Sequence, residues 1–317
     1  MATTEAPDYT HTLGFDTKKF SDAFEQRKNK HLYFRVRYTA SAVINALRLI
    51  EMMQADFRVI DLRWMAYMLA TAFWEGAQTV PATVLVAKLG KGNKPILGPD
   101  KKPVMIEKHI KVWNVMVPID ESYPENIRRY KAPVKVKRIE MGDADVLAKM
   151  SKKIDRAALL GGAWIVEKDG DQFLIDSAGK QTWQSKGSDY GATFSKAASA
   201  AYNNFHGDIC VYTGRGYVQL TWWHNYAAAG VALGKGLELL FAPDKVKEPQ
   251  IAYDVMAHGM FTGSGFANGR KLSQYIVGDQ KDYVNDRKMV NYSDKASYTP
   301  IAELAELFEA MLLEARL

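Results

Sequence analysis

One segment constrains the fold of this chain more than any other, because it is apolar on nearly every side and ends in a single acid. Residues 62–73 (LRWMAYMLATAF) repeat apolar side chains at spacings of three and four, which is the repeat of a helix. A helix that is apolar nearly all round must be enclosed by other elements, so we expect it at the centre of a helical bundle. Asp61 is its predicted N-cap, and Gly76 and Pro81 indicate where it ends.

Other segments are predicted to supply the surrounding helices, since they are periodic or rich in alanine. These segments are residues 39–53, 194–204, 251–261 and 272–276. Thr299 is the predicted N-cap of the last helix, with Pro300 at its first position. The apolar stripe of this last helix comprises Ile301, Leu304, Leu307, Phe308, Met311 and Leu312.

The middle of the chain differs in composition from both flanks. Residues 88–103 are rich in Gly, Pro and Lys, which is typical of a loop or linker. Four strand-like runs follow at 110–117, 134–139, 164–167 and 173–176, and residues 147–160 favour a short helix. Asp169 and Gly170 between two apolar runs predict a hairpin. We therefore divide the chain into a helical part (1–87), an inserted β-rich basic subdomain (88–190) and a second helical part (191–317).

The positive charge of the chain is confined to this middle part. The formal net charge is +6 at pH 7. Between Lys88 and Asp189 there are 20 basic and 14 acidic residues, and the rest of the chain is balanced. Such a surplus favours polyanionic partners such as nucleic acid, acidic wall polymers or anionic membranes. A solvated face that keeps the protein soluble explains the same surplus.

Several classes of function are excluded by the motifs that the sequence lacks. The six histidines include no pair at a spacing of four, so no metal site is predicted. The phosphate-binding loop and the G-x-S-x-G nucleophile motif are missing. Cys210 lies between two apolar residues and is interpreted as buried. No apolar run approaches the roughly 20 residues of a membrane span, and the N-terminus lacks the pattern of a secretory signal.

Glu75 is the first candidate for chemistry, because it closes the apolar helix just before a glycine. A carboxylate at the mouth of an apolar wall loses solvation, so its pKa should rise. A general acid for glycoside cleavage needs that environment. On position alone, a solvated glutamate at a helix end is the simpler interpretation.

The second candidate is residues 212–230 (YTGRGYVQLTWWHNYAAAG), in which two glycines flank an arginine. Gln219, Thr221 and Asn225 can line one side of a cleft, since amides and hydroxyls bind sugar hydroxyls and N-acetyl groups. Trp222 or Trp223 could stack on a pyranose ring. The alternative is that Gly-Arg-Gly forms a turn and the aromatic residues belong to the core.

The segment GRGYVQLTWWHNYAAAG resembles the signature of the chitinase-like glycoside hydrolases, the family of plant class I chitinases, and is closest to their bacterial and phage endolysin branch. DLRWMAYMLATAFWEGAQTV resembles the catalytic helix of the family. Two C-terminal segments, 237–263 and 282–312, are similar to the stretches that follow the signature. The resemblance covers about residues 30–80 and 192–317, and it implies a mainly α, lysozyme-like fold of two lobes with a β-rich insertion (α+β).

The resemblance also implies roles for individual residues. Glu75 matches the general acid. Thr221, with Gln219 and Asn225, matches the cleft residues that hold the sugar and position the attacking water. Arg215 matches the signature arginine, for which bracing of the loop is favoured over substrate contact. The remaining residues implied to be at the substrate site are Tyr226 and Asn291, with Arg287 near the latter.

Two departures from the family pattern concern the catalytic groups. Trp74 stands where the family has histidine, and Gly76-Ala77-Gln78 replaces its usual run of Thr and Gly. The family's second carboxylate follows soon after the first, yet VPATVLVAKLGKGN contains no acid. Candidates for the missing base are Asp100, Glu107, Glu121 and Asp189, with Asp189 preferred because it lies where the chain re-enters the helical part. Alternatively, Thr221 and Asn225 hold the water without a strong base.

The expected function is hydrolysis of β-1,4 bonds in peptidoglycan by an inverting mechanism, without a cofactor. The alternatives are a chitinase and a non-catalytic glycan-binding or structural protein that has lost the second acid. A nucleic-acid binder is disfavoured, because the basic segment has no recognisable binding motif. We expect the protein to be made in the cytoplasm and to reach the wall by holin passage, dedicated secretion or lysis. An antibacterial effector of this type would require a cognate immunity protein that plugs the cleft.

Overall fold

The computed structural model describes residues 14–29, 31–32, 34, 40–121, 212–235 and 238–317, and the backbone of four strands between 135 and 184. The helices are α1 (Thr17–Arg27), α2 (Ala40–Ala55), α3 (Leu62–Glu75), α4 (Trp223–Ala232), α5 (Glu238–Phe241), α6 (Pro249–Thr262), α7 (Tyr283–Asp286) and α8 (Tyr298–Ala315). The strands are β1 (Ala77–Ala87), β2 (Met105–Val115), β3 (Ile119–Asp120), β4 (Lys135–Arg138), β5 (Trp164–Lys168), β6 (Asp171–Ile175), β7 (Gln181–Gln184), β8 (Arg215–Gly216), β9 (Ile276–Val277) and β10 (Gln280–Lys281). The described part of the chain thus combines helices with small antiparallel sheets, and a lysozyme-like arrangement of two lobes stays a prediction.

Helix α3 is the buried centre of the helical part, as its apolar sequence predicts. Every residue from Leu62 to Phe73 is buried. The Asp61 carboxylate accepts a hydrogen bond from the backbone N–H of Arg63 at 2.8 Å, which confirms the predicted N-cap. Gly76 is the C-cap, so the predicted end of the helix is also confirmed.

The enclosing helices bury the predicted segments, with local shifts. The most buried residues of α2 include Ala46, Leu49, Ile50 and Met53, whereas Val43 and Leu47 are only partly buried. In α8 the predicted stripe is buried, apart from the partly buried Leu307. Phe34, Phe73 and Phe308 then pack together with Phe24 in one aromatic cluster. Helices α1, α3 and α8 are therefore joined by a continuous core.

The start of α8 differs from the prediction that Thr299 is the N-cap. The helix begins at Tyr298, and Ser297 occupies the N-cap position without a side-chain capping bond. The Ser297 hydroxyl is engaged elsewhere, because it donates to the Asp294 carbonyl at 2.9 Å and accepts from Arg287 Nε at 2.8 Å. The residue at the N-cap of α8 is therefore bonded to Arg287 and to Asp294 instead of capping the helix.

A long two-stranded hairpin leaves the end of α3. Strand β1 pairs antiparallel with β2 from Ala77 opposite Val115 to Ala87 opposite Met105. The β structure thus begins at Ala77, before the predicted boundary at Lys88, because the Val- and Thr-rich run that follows Glu75 favours a strand. Residues 88–103 do not form a simple linker, since they carry further backbone pairing at the tip of the hairpin.

A second sheet has the strand order β4-β5-β6-β7 and is antiparallel throughout. Lys168 of β5 lies opposite Asp171 of β6, which is the register that the predicted hairpin requires. The predicted helices at 147–160 and 194–204 lie outside the described residues. The division of the chain into three parts stays a prediction.

The short strand β3 joins the end of the hairpin to the glycine-rich signature. Ile119 pairs with Gly216, and Asp120 pairs with Arg215 of β8. This pairing brings residues about a hundred positions apart in sequence to one place beside the end of α3. None of the helices in the described ranges is long and apolar enough to cross a membrane.

Candidate functional site

Glu75 lies at the C-terminal end of α3 and forms an ion pair with Arg287, whose Nη2 donates to Glu75 Oε1. The Glu75 side chain is 17% exposed. Burial raises the pKa of the Glu75 carboxyl, and the Arg287 cation opposes this rise without cancelling it. The nearby negative charges of Asp294 and Glu121 raise the pKa further. Glu75 therefore holds a proton more readily than a solvated glutamate does.

Arg287 is a buried cation whose orientation is fixed by several partners. Its side chain is 1% exposed. Its Nε donates to the Ser297 hydroxyl at 2.8 Å, and its Nη2 lies 3.6 Å from Asp294 Oδ2. The guanidinium is thus positioned before Glu75 ionises, which lets it stabilise the carboxylate as the proton leaves. Sequence analysis places Arg287 near Asn291 but does not pair it with Glu75.

Gly76 brings the end of the hairpin against the end of α3. The Val117 N–H donates to the Gly76 carbonyl at 3.2 Å. A Cβ atom on Gly76 would lie 2.7 Å from the carbonyl oxygens of both Ala72 and Val117. Only glycine permits this approach, so the residue after Glu75 is needed for the geometry of the site.

Glu121 follows strand β3 and lies directly against the signature. Its backbone N–H donates to the Gly214 carbonyl at 2.7 Å, and its Oε2 accepts from the Gly214 N–H at 3.1 Å. A Cβ atom on Gly214 would lie 2.6 Å from Gln219 Oε1 and 2.9 Å from Glu121 Oε2. The side chains of Glu121 and Gln219 therefore meet above Gly214, and the charge of Glu121 acts on Glu75.

The other candidates for a second carboxylate lie elsewhere. Asp100 is on the exposed tip of the hairpin, where it pairs with Lys102. Glu107 is exposed on β2 opposite Leu85, about 27 Å along the strand from the end of α3. Asp189, the candidate that sequence analysis prefers, lies outside the described residues. Of these four, Glu121 is the one among the described residues whose charge acts on the pKa of Glu75.

The signature forms a tight loop rather than an alternating strand. The backbones of Arg215 and Leu220 exchange two hydrogen bonds, at 3.2 and 2.9 Å. Gln219 and Trp222 both have a positive φ, at 51° and 70°. Residues other than glycine rarely adopt a positive φ, and those that do are frequent at functional sites. Gln219 Nε2 donates to the Gly216 carbonyl at 3.2 Å, which fixes its amide toward Gly214.

Thr221 and Asn225 are partly exposed beside this loop. Asn225 Nδ2 donates to the Thr221 carbonyl at 2.9 Å, so the two residues are held together at the start of α4. Gln219 thus lies beside Glu121 at the loop, with the Thr221–Asn225 pair just after it in the chain. That Gln219, Thr221 and Asn225 face one cleft with Glu75 stays a prediction.

Arg215 and Tyr226 support the loop from within. Arg215 Nε donates to Asp244 Oδ1 and its Nη1 to the Tyr226 hydroxyl, both at 3.1 Å. The Tyr226 hydroxyl donates to the Thr213 carbonyl at 2.6 Å, and the Tyr226 side chain is fully buried. This burial departs from the expectation that Tyr226 contacts substrate. Arg215 is 7% exposed and braces the loop, which is the role that sequence analysis favours for it.

Asn291 follows Arg287 by four residues, and its side chain stabilises a turn. It is exposed, and its Oδ1 accepts from the Ser293 hydroxyl at 3.0 Å and from the Asp294 N–H at 3.3 Å. This turn presents Asp294 to Arg287. Its side-chain contacts therefore connect Asn291 to the acid through Asp294 and Arg287.

Buried polar groups lie behind the ion pair, and sequence analysis does not predict them. Tyr67 and Glu75 lie eight residues apart on one face of α3, and Tyr67 stacks on Tyr283 of α7 at 6.2 Å. Asp286, also on α7, is fully buried, and neither of its carboxyl oxygens has a hydrogen-bond partner among the described residues. Burial, reinforced by the charge of Asp282, raises the pKa of Asp286 well above its ordinary value. Ionisation of Asp286 is therefore disfavoured in the folded protein.

Comparison with known proteins gives no matching family model, no matching curated protein and no matching solved structure. The described residues also contain no group of His, Cys, Asp and Glu that could hold a metal ion.

Proposed function

We propose that this protein is a glycoside hydrolase that cleaves β-1,4 bonds of peptidoglycan. The observation that supports this proposal is a pair of carboxyl groups in unlike surroundings, near enough that the charge of Glu121 raises the pKa of Glu75. Glu75 is desolvated and has a raised pKa, whereas Glu121 accepts a backbone hydrogen bond at the loop. A pair of carboxyl groups in different environments is the usual machinery for acid and base catalysis of glycoside hydrolysis.

The proposed reaction proceeds by inversion. Glu75 donates its proton to the oxygen of the leaving sugar as the bond from that oxygen to the anomeric carbon breaks. Glu121 accepts a proton from a water molecule, whose oxygen forms the new bond on the opposite face of the sugar. Arg287 then stabilises the carboxylate of Glu75 that remains. Each cycle ends when the proton on Glu121 returns through solvent to Glu75.

Side chains of the loop have supporting roles in this proposal. The Gln219 amide, fixed beside Glu121, orients the water or the N-acetyl group of the substrate. Thr221 and Asn225 contact the sugar from the partly exposed start of α4. Peptidoglycan is preferred to chitin because the signature resembles the wall-lytic branch and because the positive charge of the middle part suits an anionic wall.

The test uses purified peptidoglycan and mass spectrometry of the products. We expect new reducing ends from the full-length protein and a loss of rate of about 10²–10⁴-fold in Glu75→Gln and in Glu121→Gln. Glu107→Gln is the matched control, because it removes a glutamate from the exposed surface of β2, away from the end of α3. Its rate should remain that of the wild type.

Each alternative function predicts a different result in this assay. Release of reducing ends from chitin oligosaccharides but not from peptidoglycan would identify a chitinase. Binding of peptidoglycan without products at any enzyme concentration would identify a glycan-binding protein. Full activity of Glu121→Gln alongside inactive Glu75→Gln would assign the water to Asp189 or to the Thr221–Asn225 pair instead. Full activity of Glu75→Gln with an unchanged fold would contradict the proposal.

A further inference from the structure

The tip of the β1–β2 hairpin exposes an unusual number of large apolar side chains. All of them lie within about twenty residues of one another and are between 37% and 65% exposed. They are Leu85, Leu89, Ile96, Leu97, Val104, Met105 and Ile106. Isolated apolar residues are common on protein surfaces, but so many at one end of a hairpin indicate a site of interaction. We call these seven residues the apolar tip.

The backbone of the tip is ordered by its own hydrogen bonds. Lys88 N–H donates to the Val104 carbonyl at 2.7 Å, Val104 N–H to Ile96 at 2.8 Å, and Ile96 N–H to Lys88 at 2.7 Å. These three bonds form a closed ring. The three ring residues bound two similar turns, KLGKGNKP (88–95) and ILGPDKKP (96–103), which are consecutive in the sequence. Sequence analysis does not detect this repeat, although the common Leu-Gly and Lys-Pro pairs are its signal.

Exposed apolar residues occupy equivalent positions next to the ring. Leu89, Leu97 and Met105 each follow one member of the ring and are 55%, 57% and 49% exposed. Because the ring holds the backbone, these side chains cannot be buried by a local collapse of the loop. Their exposure is therefore built into the fold of the tip.

Cationic side chains surround the apolar tip. Residues 88–111 contain seven lysines but only two acidic residues, Asp100 and Glu107. The partner that suits this surface has an apolar phase lying beneath a layer of negative charge. A glycan strand or a nucleic acid provides the charge without the apolar phase. A second copy of the tip would provide the apolar phase but would oppose seven lysines with seven more.

We propose that the hairpin tip docks on the surface of an anionic phospholipid bilayer. The apolar side chains enter the boundary between headgroups and acyl chains, and the lysines contact the lipid phosphates. Strand β1 has 11 residues, so the tip lies about 35 Å along the hairpin from the end of α3. Docking therefore leaves the candidate site free, and it does not depend on the proposed hydrolase activity.

The test is flotation of the full-length protein with lipid vesicles. One set of vesicles is phosphatidylcholine alone, and the other contains about one third phosphatidylglycerol, which supplies the negative surface charge. We expect the wild type to float with the anionic vesicles and to bind neutral vesicles about tenfold more weakly. The variant Leu89→Ser/Leu97→Ser/Met105→Ser should lose about tenfold in affinity for anionic vesicles at low salt and at physiological salt.

Two further variants distinguish insertion of the apolar tip from nonspecific hydrophobic adsorption and from electrostatic attraction. Ile44→Ser/Phe57→Ser/Val277→Ser is the matched control, since it removes three exposed apolar side chains from other parts of the described surface and should float like the wild type. Replacing Lys91, Lys94, Lys101 and Lys102 by Gln should weaken binding at low salt more than at physiological salt, where charges are screened. Circular dichroism and thermal unfolding should be unchanged in all variants.

Three outcomes would overturn the proposal. The first is a wild-type protein that does not float with anionic vesicles. The second is a triple Leu89, Leu97 and Met105 variant that binds as well as the wild type, because the contact would then depend on charge alone. The third is a wild-type dimer in solution that the same triple variant converts to a monomer, because a second copy would then be the occupant of the tip.

Discussion

Replacing Arg287 by methionine tests whether this residue stabilises Glu75 by charge or only fills space. Methionine retains much of the apolar stem but removes the cation that pairs with Glu75. Removing one partner of a buried ion pair typically lowers the free energy of unfolding by about 3–5 kcal/mol. Arg287 is 1% exposed, so solvent cannot replace it, and we expect a loss within that range at about pH 8.

The loss should depend on pH in a direction that follows from the pKa of Glu75. Burial raises that pKa, and Arg287 is the main influence that lowers it, so the pKa rises further in Arg287→Met. A carboxyl group whose pKa is raised by folding favours the folded state at low pH, and this advantage is lost as pH rises through the folded-state pKa. At about pH 5 protonation removes the unpaired charge, so the remaining loss should be about 1–3 kcal/mol from hydrogen bonds and packing.

The assay is urea denaturation of four proteins at both pH values: the wild type, Arg287→Met, Glu75→Gln and the double variant. Residues in one ion pair show coupling energies of about 0.5–3 kcal/mol, so the double variant should lose less than the sum of the single losses at about pH 8. Lys18→Met is the control, because the Lys18–Asp22 pair is exposed, at 82% and 55%, so its removal should leave the free energy of unfolding nearly unchanged. Equal losses for Arg287→Met at both pH values, with additive single losses, would refute the electrostatic role of Arg287.

Two further predictions concern groups next to the same site. Asp286→Asn should increase the free energy of unfolding progressively as pH rises above about 4, since the raised pKa of Asp286 makes its ionisation in the folded state costly. Urea denaturation across pH checks this, and a gain that is constant or falls with pH would contradict it. Gly214→Ala should displace Gln219 and Glu121, because its Cβ would lie within 2.9 Å of both side chains. Its kcat on peptidoglycan should fall by about tenfold or more, since misplacement by a fraction of an ångström is costly in catalysis, and an unchanged kcat would exclude this arrangement.

The helical centre of the fold could be predicted because its signals are local. The apolar repeat of residues 62–73, the Asp61 cap and the terminal Gly76 all lie within about one helix length. The position of Glu75 at the end of a buried helix follows from them directly. The hairpin boundary could not be predicted in this way, because the composition of residues 88–103 indicates a loop, while their pairing depends on partners up to sixteen residues apart.

The partners of Glu75 could not be predicted, because the contacts that bring them together are distant in sequence. Arg287 reaches Glu75 across 212 positions, and Glu121 reaches Gly214 across 93. Nothing in the residues around Glu121 distinguishes it from Asp100 or Glu107 as a candidate base. Its location follows from the pairing of β3 with β8, and this pairing between distant segments cannot be inferred from local sequence.

The same pairing explains how a long middle segment can be accommodated without disturbing the candidate site. The hairpin leaves from the residue after Glu75 and returns to it, because Val117 bonds back to Gly76. Further along the chain, Glu121 and Gly214 share two hydrogen bonds. Both the hairpin and the segment between residues 121 and 214 therefore begin and end at the site. Substitutions at the distant hairpin tip should then change what the protein docks on, whereas substitutions at Gly76 or Gly214 should change the geometry of Glu75 and Glu121 themselves.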